Sequence, residues 1–390
     1  MRSRILFIVL LALAKGSAAQ AVNPEAFRRL DGSPISTAEI GANISRAVVA
    51  GKVTGAGVTL FNDRKIAFTK TYGFRDKEKG LPLTENSTMT AASLTKVAFA
   101  YMVMQLVDEK ILNLDKPIYQ YLPKPLPDYR LYEDLAGDAR YKKINARMLL
   151  SHTSGLPNWR RFNEDGKLHI AFDPGSRFAY SGEGIQLLQM VVETIARKPL
   201  EDLMQERVFR PFGMTRTSMV WQPRFESHYA NGYDEQEHSL GPERRKHADA
   251  AGSMQTSLAD YSRFLQAVME GRGLTKKTRD LMLSPQIQIQ SKHEFPTLST
   301  ENTDANQAIR LSYGLGWGLY WTPYGKAFFK EGHDDGWRHY TVLFGDQGSG
   351  ILIMTNSSNG EGIYQELLET LLNNPYTPIE WEGFVPYNNH

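Results

Sequence analysis

The stretch from Ser93 to Leu112 restricts the possible folds of this 390-residue chain more than any other segment. It reads SLTKVAFAYMVMQLVDEKIL and is apolar on almost every side when it is drawn as a helix. A helix that is apolar all round must be enclosed by other elements, because its whole surface has to leave water. The pattern therefore predicts a central helix inside a large domain, with the polar residues Ser93 and Lys96 in its first turn.

Amphipathic and alternating patterns on both sides of that helix predict a mixed α/β fold. Ser36 and Glu39 form a capping box that opens a helix, and Gly57–Gly73 predicts a β-hairpin. We expect one domain over residues 21–390, in which a sheet is interrupted by an all-helical insertion at about residues 100–290. Other predicted elements are helices over Leu187–Ala196, Leu200–Val208, Leu258–Met269 and Ile363–Leu372, strands over Tyr340–Phe344 and Gly350–Thr355, and long surface loops over Asn231–His247 and Ser291–Ala308.

The N-terminal residues predict export. Arg2 and Arg4 precede an apolar run from Ile5 to Ala14, and small residues that suit a cleavage site near Ala19 or Ala21 follow. Ten apolar residues are too few for a membrane-spanning helix, which needs about 20. Residues 1–20 are therefore interpreted as a cleaved signal peptide rather than a retained anchor. The mature protein is expected in the periplasm or outside the cell, without a stable membrane span.

Composition excludes several classes of function. The 45 basic and 43 acidic residues leave a net charge of +2, which provides no general attraction for nucleic acid or for an anionic membrane. The chain has no cysteine, so catalysis by a thiol and metal binding by thiolates are both excluded. An exported chain without cysteine must also be stabilised by its core rather than by disulfides.

Ser93 and Lys96 form an S-x-x-K motif at the start of the central helix. Helical spacing places both side chains on one face, where the lysine can accept the serine proton. Desolvation lowers the pKa of a lysine, and the unpaired N–H groups of a helix N-terminus stabilise an oxyanion. Because an isolated S-x-x-K occurs by chance in long chains, the prediction of a catalytic serine depends on further residues.

Two later segments provide candidate partners for Ser93. Tyr180 lies in FAYSG, between Pro174-Gly175 and a predicted helix, where a turn would hold the tyrosine rigidly. Lys330 lies in KEGHDDGW ahead of the late strands, so a cation and a backbone N–H would line one strand edge. The alternative interpretations are a half-buried core tyrosine and an ordinary charged turn.

Taken in order, these motifs resemble the class C β-lactamases and penicillin-binding-protein-like serine hydrolases, a group that includes family VIII carboxylesterases and D-amino-acid-specific peptidases. The resemblance covers roughly Gly57 to Leu372. It includes LNLD at 112–115, YLP at 121–123, LLSHTSGLP at 149–157, AGSM at 251–254 and YGLGW at 313–317. It implies the DD-peptidase fold, an antiparallel sheet flanked by helices.

The resemblance also implies a role for each candidate residue. Ser93 would be the acylated nucleophile, with Lys96 and Tyr180 as its general bases. Lys330 to Gly332 would be the strand element that is K-T-G in the family. His333 would then donate the second N–H group of the oxyanion hole from its backbone.

The strand element could also start at His333, because many relatives have His-x-Gly there. Spacing favours Lys330. From Lys330, the family's Gly-Phe falls on Gly336-Trp337 and its strand-ending Asn falls on Asn356, whereas from His333 the glycine position would be Asp335.

Two departures from the family pattern affect the expected substrate. The Asn of the family's Y-x-N element is Gly182 here, and the Thr or Ser of K-T-G is Glu331. The resemblance implies that this Asn holds the amide side chain of β-lactams, so efficient penicillin hydrolysis is not expected. Glu331 would repel an anionic ligand unless Lys330 offsets its charge. Glu183 could reach into the site and select for a positively charged substrate group.

Other polar and aromatic residues carry weaker hypotheses. His333-Asp334-Asp335 is not expected to bind a metal, because neighbouring residues of a strand point to alternating faces. His152 is interpreted as a core residue of the LLSHTSGLP segment. Among the tryptophans that could line an acyl pocket, Trp317 and Trp337 are favoured over Trp159 by their neighbourhood.

These observations predict an exported serine hydrolase that cleaves a small ester or amide, or a D-amino-acid peptide, through an acyl-enzyme on Ser93. The mechanism requires neither a cofactor nor a metal ion. A β-lactamase is the alternative with the same mechanism. A penicillin-recognising or peptidoglycan-binding relative without catalysis is the alternative from another class, although all the nucleophilic elements are present. The sequence leaves the natural substrate and the oligomeric state open.

Overall fold

A computed structural model describes residues 26–389, and the predicted leader over residues 1–20 lies outside the described residues. The helices are α1 (Thr37–Ala50), α2 (Leu94–Asp108), α3 (Ala146–Leu150), α4 (Gly182–Ala196), α5 (Leu200–Met204), α6 (Leu258–Glu270), α7 (Lys276–Met282), α8 (Tyr364–Leu372) and α9 (Ile379–Glu382). The strands before α7 are β1 (Ala26–Arg28), β2 (Pro34–Ser36), β3 (Gly55–Asn62), β4 (Lys65–Asp76), β5 (Leu81–Pro82), β6 (Met89–Thr90), β7 (Gly232–Tyr233), β8 (Ser239–Gly241) and β9 (Gln255–Thr256). The later strands are β10 (Ile287–Gln288), β11 (Ser312–Tyr313), β12 (Gly318–Thr322), β13 (Gly325–Asp334), β14 (Trp337–Phe344) and β15 (Ser349–Thr355). None of the helices within residues 26–389 is long and apolar enough to cross a bilayer.

The main sheet joins the early hairpin to the late strands. Its strand order is β10-β11-β12-β13-β14-β15-β3-β4-β5, and every neighbouring pair is antiparallel. β15 pairs with β3, so that Ile353 lies opposite Val58. The chain between β5 and β10 therefore lies outside this sheet. The predicted class, an antiparallel sheet flanked by helices, is confirmed.

Each face of the sheet buries a separate core. On β15, Ile351 and Ile353 pack with residues of α1 and α8, whereas Leu352 and Met354 pack on the other face with residues of α2 and α6. This alternation follows from the two-residue period of a strand, and both sets are apolar because both faces are covered. The result is a sheet between a thin helical layer and a thick one.

Helix α2 lies at the centre of the thick layer. All of its residues from Leu94 to Leu106 are buried, as the apolar pattern predicted. Gly316 comes close enough to α2 that a β-carbon added there would lie 2.5 Å from the β-carbon of Ala100. The enclosure of α2 on all sides holds its first turn at a fixed position beside strand β13.

Two features differ from the sequence prediction. The inserted region at about residues 100–290 is not all-helical, because it also contains the short strands β7 and β8, which pair with each other, and β9, which pairs with β6. These strands have two or three residues, which is too few for a detectable alternation. The hairpin of β12 and β13 was not predicted either, because glycines and buried charged residues interrupt its apolar pattern.

The packing of α1 on the sheet can be tested with one buried and one exposed residue of the same helix. Ile44 is fully buried between α1 and the sheet, whereas Val49 is 76% exposed. Ile44→Ala is expected to lower the free energy of unfolding by about 2–5 kcal/mol, because it leaves a cavity. Val49→Ala is expected to change it by less than about 0.5 kcal/mol. Equilibrium unfolding in urea measures both, and equal effects of the two substitutions would contradict this packing.

Candidate active site

Ser93 occupies the N-cap position of α2 without using its side chain as a cap. A serine at this position ordinarily accepts a hydrogen bond from the backbone of the first turn. Here the preceding residue, Ala92, has a φ of 47°, and its carbonyl accepts a 2.6 Å hydrogen bond from the Thr95 hydroxyl. The Ser93 hydroxyl is therefore available for other partners.

Lys96 is one of those partners. Its Nζ atom lies 2.9 Å from Ser93 Oγ and donates a second hydrogen bond of 2.6 Å to the carbonyl of Ala251. The side chain is buried, and this desolvation, with the nearby charge of Lys330, lowers the pKa of Lys96 to about 7. A large fraction of Lys96 is consequently neutral at neutral pH and able to accept a proton.

Tyr180 lies between two lysines. It immediately precedes Ser181, whose side chain caps α4 by accepting a hydrogen bond from Gly184 N. Lys330 Nζ donates to the Tyr180 hydroxyl at 3.0 Å, and Lys96 Nζ lies 5.0 Å from the centre of the tyrosine ring. Burial, followed by the charge of Glu331, raises the pKa of Tyr180 well above 10, against the effect of a hydrogen bond with Ser93.

His152 packs against the Tyr180 ring. The two ring centres are 4.4 Å apart, and His152 Nδ1 accepts a hydrogen bond of 3.1 Å from Ser181 N. Burial lowers the pKa of His152 well below 6.5, and the charges of Lys330 and Lys96 act in the same direction. A neutral His152 is thus a fixed packing partner, in agreement with its interpretation as a core residue.

Strand β13 brings Lys330 and Gly332 to this group. Lys330 is completely buried, and its ammonium contacts both Tyr180 and the carboxylate of Glu331. A β-carbon at Gly332 would lie 2.9 Å from the carbonyl oxygen of Ala91, so only glycine lets the strand approach the start of α2 this closely. The element that begins at Lys330, rather than one that begins at His333, therefore lies beside Ser93 and Tyr180.

His333 follows Gly332 and lines the pocket in front of Ser93. Its side chain is about half exposed and lies 3.6 Å from Glu361. Burial and the charge of Arg338 lower the pKa of His333 to about 4, so its imidazole is neutral at physiological pH. Any role in binding an oxyanion belongs to its backbone N–H.

Glu183 lines the pocket, as its hypothesis requires. Both of its carboxylate oxygens accept hydrogen bonds from Arg160, at 2.8 and 3.0 Å. This ion pair offsets part of the charge that would select for a cationic substrate group, and that selection stays a prediction. The same ion pair holds the segment that carries Trp159 against α4.

Gly182 stands where the family has a substrate-binding asparagine, and the space beside it is already filled. A β-carbon there would lie 2.6 Å from the indole of Trp159, and Gly182 N donates to Asn158 Oδ1 at 3.1 Å. The indole of Trp159 thus occupies the space that a side chain at residue 182 would take.

The prediction that Trp317 and Trp337 line the pocket is wrong. Trp337 is buried against Gly232, and Trp317 packs edge-on against Phe328 in the core, with ring centres 5.0 Å apart. Neither residue lines the pocket, which is instead bordered by Trp159 and Trp381. The sequence neighbourhood failed here because strand neighbours of a catalytic residue can point away from the site.

The pocket above Ser93 has a volume of about 990 Å³. Its lining includes Ser93, Lys96, Tyr180 and Trp159. The loop at residues 291–308 and α9 contribute Glu294, Phe295, Trp381 and Glu382, and the Phe295 ring lies 5.7 Å from that of Tyr180. These four residues were missed by the sequence analysis, because they belong to a long loop and a short C-terminal helix without a motif.

Three of the lining residues offer the oxygen ligands that a cation requires. The carboxylates of Glu294, Glu331 and Glu382 are all buried, and one oxygen from each lies within 4.8 Å of the others. The His333-Asp334-Asp335 run does not form such a group with them. The site therefore combines a serine that is hydrogen-bonded to a partly neutral lysine with three neighbouring carboxyl groups.

Comparison with known proteins agrees with this geometry. A family model described as "Beta-lactamase" matches residues 40–372. The chain is similar to penicillin-binding protein 4* of Bacillus subtilis, with 23% identity over 80% of this chain and 71% of the relative. It is also similar to esterase EstB of Burkholderia gladioli, with 29% identity over 52% of this chain and 56% of the relative.

A solved structure with the same fold is that of the octameric penicillin-binding protein homologue from Pyrococcus abyssi. The TM-score is 0.70 at 20% identity, and the alignment covers 88% of this chain and 79% of the other. The resemblance inferred from the motifs is thereby confirmed. The chain belongs to the β-lactamase family and is a serine hydrolase.

Proposed function

We propose that this serine hydrolase cleaves a small ester or amide through an acyl-enzyme on Ser93. The observation that carries the proposal is the 2.9 Å contact between Ser93 Oγ and the buried Nζ of Lys96, whose lowered pKa suits a general base. The name of EstB, an esterase, supports an ester substrate, and that of penicillin-binding protein 4* is compatible with a peptide or lactam amide.

In the first step, neutral Lys96 takes the proton of Ser93 as Oγ attacks the substrate carbonyl. The backbone N–H groups of Ser93 and His333 stabilise the oxyanion that forms. Tyr180 is protonated, because its pKa is raised, and it passes a proton from Lys96 to the leaving group rather than acting as the base itself. The bond to the leaving group then breaks and leaves an ester on Ser93.

In the second step, water attacks this ester. Lys96 has returned to its neutral form after the leaving group departs, so it accepts a proton from the water. The same N–H groups stabilise the second oxyanion. As the bond between Ser93 Oγ and the acyl carbon breaks, Lys96 returns the proton to Oγ and the carboxylic acid product leaves.

An ester or simple amide is favoured over a β-lactam by two observations. Gly182 provides no amide side chain, and Trp159 fills the space beside it. The Lys330 ammonium contacts Glu331, so it is partly neutralised before any anionic substrate group arrives. Penicillins and cephalosporins carry such a carboxylate, and we infer that the protein hydrolyses them slowly.

We also propose export through cleavage of the N-terminal residues. The proposal is supported only by the sequence pattern at residues 1–20. Sequencing the N-terminus of the protein recovered from the host's periplasm or medium would test it.

Removal of the nucleophile is the first test. Ser93→Ala is expected to lose all turnover of a short-chain nitrophenyl ester above the spontaneous rate, because no other group can form the acyl-enzyme. Ser151→Ala, at the adjacent Ser-His pair in the sequence, is expected to keep its turnover. Initial rates on the ester and on a chromogenic cephalosporin measure both. Retained ester turnover in Ser93→Ala would rule out the nucleophile, and fast cephalosporin turnover would contradict the preference for esters.

The lowered pKa of Lys96 predicts a pH dependence. Protonated Lys96 cannot accept the serine proton, so kcat/KM is expected to rise with pH and to level off above an apparent pKa of about 7. Lys96→Arg stays charged and is expected to be slower by roughly 10²- to 10⁴-fold, without this rise. Ester rates between pH 5 and 9, corrected for spontaneous hydrolysis, provide the profile. A flat or falling profile would exclude Lys96 as the base.

The close approach of β13 to α2 predicts the effect of Gly332→Ala. The added methyl group would overlap the Ala91 carbonyl, move the His333 N–H away from Ser93 and reduce kcat by roughly a hundredfold. Gly41→Ala is the control, because a β-carbon at Gly41 has no neighbour closer than 3.7 Å. Circular dichroism and kcat measured for both variants test this, and an unchanged kcat in Gly332→Ala would argue against the oxyanion role of His333.

A further inference from the structure

Three buried carboxylates stand together in the wall of the catalytic pocket. Glu294 is 3% exposed, and Glu331 and Glu382 are each 6% exposed. We refer to these three residues as the carboxylate cluster. One oxygen from each lies within 4.8 Å of the others, and all three residues line the pocket above Ser93.

The cluster has more acceptors than donors. Lys330 Nζ contacts Glu331, and the Tyr340 hydroxyl donates to Glu382 Oε2. Within residues 26–389, Glu382 Oε1 is completely buried without a hydrogen-bond partner, and no hydrogen bond reaches the Glu294 carboxylate. An unpaired buried acceptor destabilises a protein unless a ligand supplies the donor. The Glu294 carboxylate, which lines the pocket, is therefore free among the described residues to accept hydrogen bonds from a ligand.

The charge of the surroundings indicates the sign of that group. The lysine that contacts the cluster, Lys330, is shared between Glu331 and Tyr180, and the lowered pKa of Lys96 leaves much of that lysine uncharged. Burial, followed by repulsion from neighbouring carboxylates, raises the pKa values of Glu294 and Glu382 well above 4.5. A positively charged ligand would relieve this repulsion.

We propose that the carboxylate cluster binds a primary ammonium group of the substrate, close to the carbonyl that Ser93 attacks. This inference rests on the proposed hydrolase function and names its substrate class: amino-substituted esters or amides. An ammonium has three N–H donors, and the side chains of Glu294 and Glu382, which both line the pocket, offer acceptors. Glu331 contacts the Lys330 ammonium, and Lys330 donates a hydrogen bond to the Tyr180 hydroxyl. Two noncovalent contacts therefore connect the cluster to the residues around Ser93.

A divalent metal ion fits the cluster less well. A divalent ion in the cluster would lie beside the Lys330 ammonium, which already contacts Glu331. That ammonium would repel a doubly charged ion more strongly than a singly charged group. A substrate ammonium, in contrast, carries a single charge and would approach the Glu294 carboxylate from the pocket that this residue lines.

The first experiment compares two esters of similar size. In p-nitrophenyl alaninate an ammonium replaces one methyl group of p-nitrophenyl isobutyrate. We expect wild type to favour the alaninate in kcat/KM, relative to the spontaneous rates, and Glu294→Gln to lower this preference by roughly tenfold or more. Glu301→Gln is the matched control, since it removes one charge from an exposed residue of the same loop. If Glu294→Gln does not fold, Glu382→Gln replaces it in the same comparison of the two esters.

The second experiment does not require turnover. n-Butylammonium chloride is expected to raise the Tm of Ser93→Ala above its value in sodium chloride of equal ionic strength. In the double variant Ser93→Ala/Glu294→Gln the two salts are expected to give the same Tm. An ester preference that is absent in wild type, or that Glu294→Gln and Glu301→Gln reduce equally, would overturn the proposal. A Tm increase with calcium chloride but not with butylammonium would replace it with a metal site. A butylammonium response that requires Glu294, in a protein without Ser93-dependent turnover, would support the ammonium site and overturn the hydrolase.

Discussion

Lys96 is kept out of contact with bulk water because helix α2 is enclosed along its length, and the chemistry of the site depends on that enclosure. An exposed lysine would remain charged at neutral pH and could not accept a proton. Burial of α2 lowers the pKa of Lys96 to about 7, and the Ala251 carbonyl fixes its direction toward Ser93. The apolar residues of α2 thus lower the pKa of the lysine beside Ser93 as well as forming the core.

The surrounding elements complete this arrangement by close contact. Gly332 allows β13 to approach the start of α2, and His152 holds the Tyr180 ring between the two lysines. Each contact joins segments that are far apart in the sequence, so the site exists only in the folded chain. The antiparallel sheet makes this possible, because it pairs the first hairpin with the last strand and leaves the intervening residues to form the opposite layer.

The sequence predicted the parts of the molecule that have a strong local signal. The capping box at Ser36 begins α1, and the apolar pattern after Ser93 is the buried α2. Lys330 could be placed beside Tyr180 because the family motifs keep their order. Glu294 and Glu382 could not be predicted, because a loop and a four-residue helix carry no periodicity and their carboxylates meet only through tertiary structure. Glu183 lines the pocket as predicted, but its ion pair with Arg160 could not be foreseen, because the two residues lie 23 positions apart without a motif that joins them.

The lining of the pocket comes from two kinds of segment, and this has an evolutionary consequence. Ser93, Lys96 and Tyr180 lie on or beside α2 and α4, which are held by the core, whereas Glu294 and Phe295 come from a long loop. Loops tolerate insertion and substitution far better than core helices and strands do. Descendants of such a protein could therefore diversify their substrates by altering this loop alone, while the serine and its neighbours stay constant.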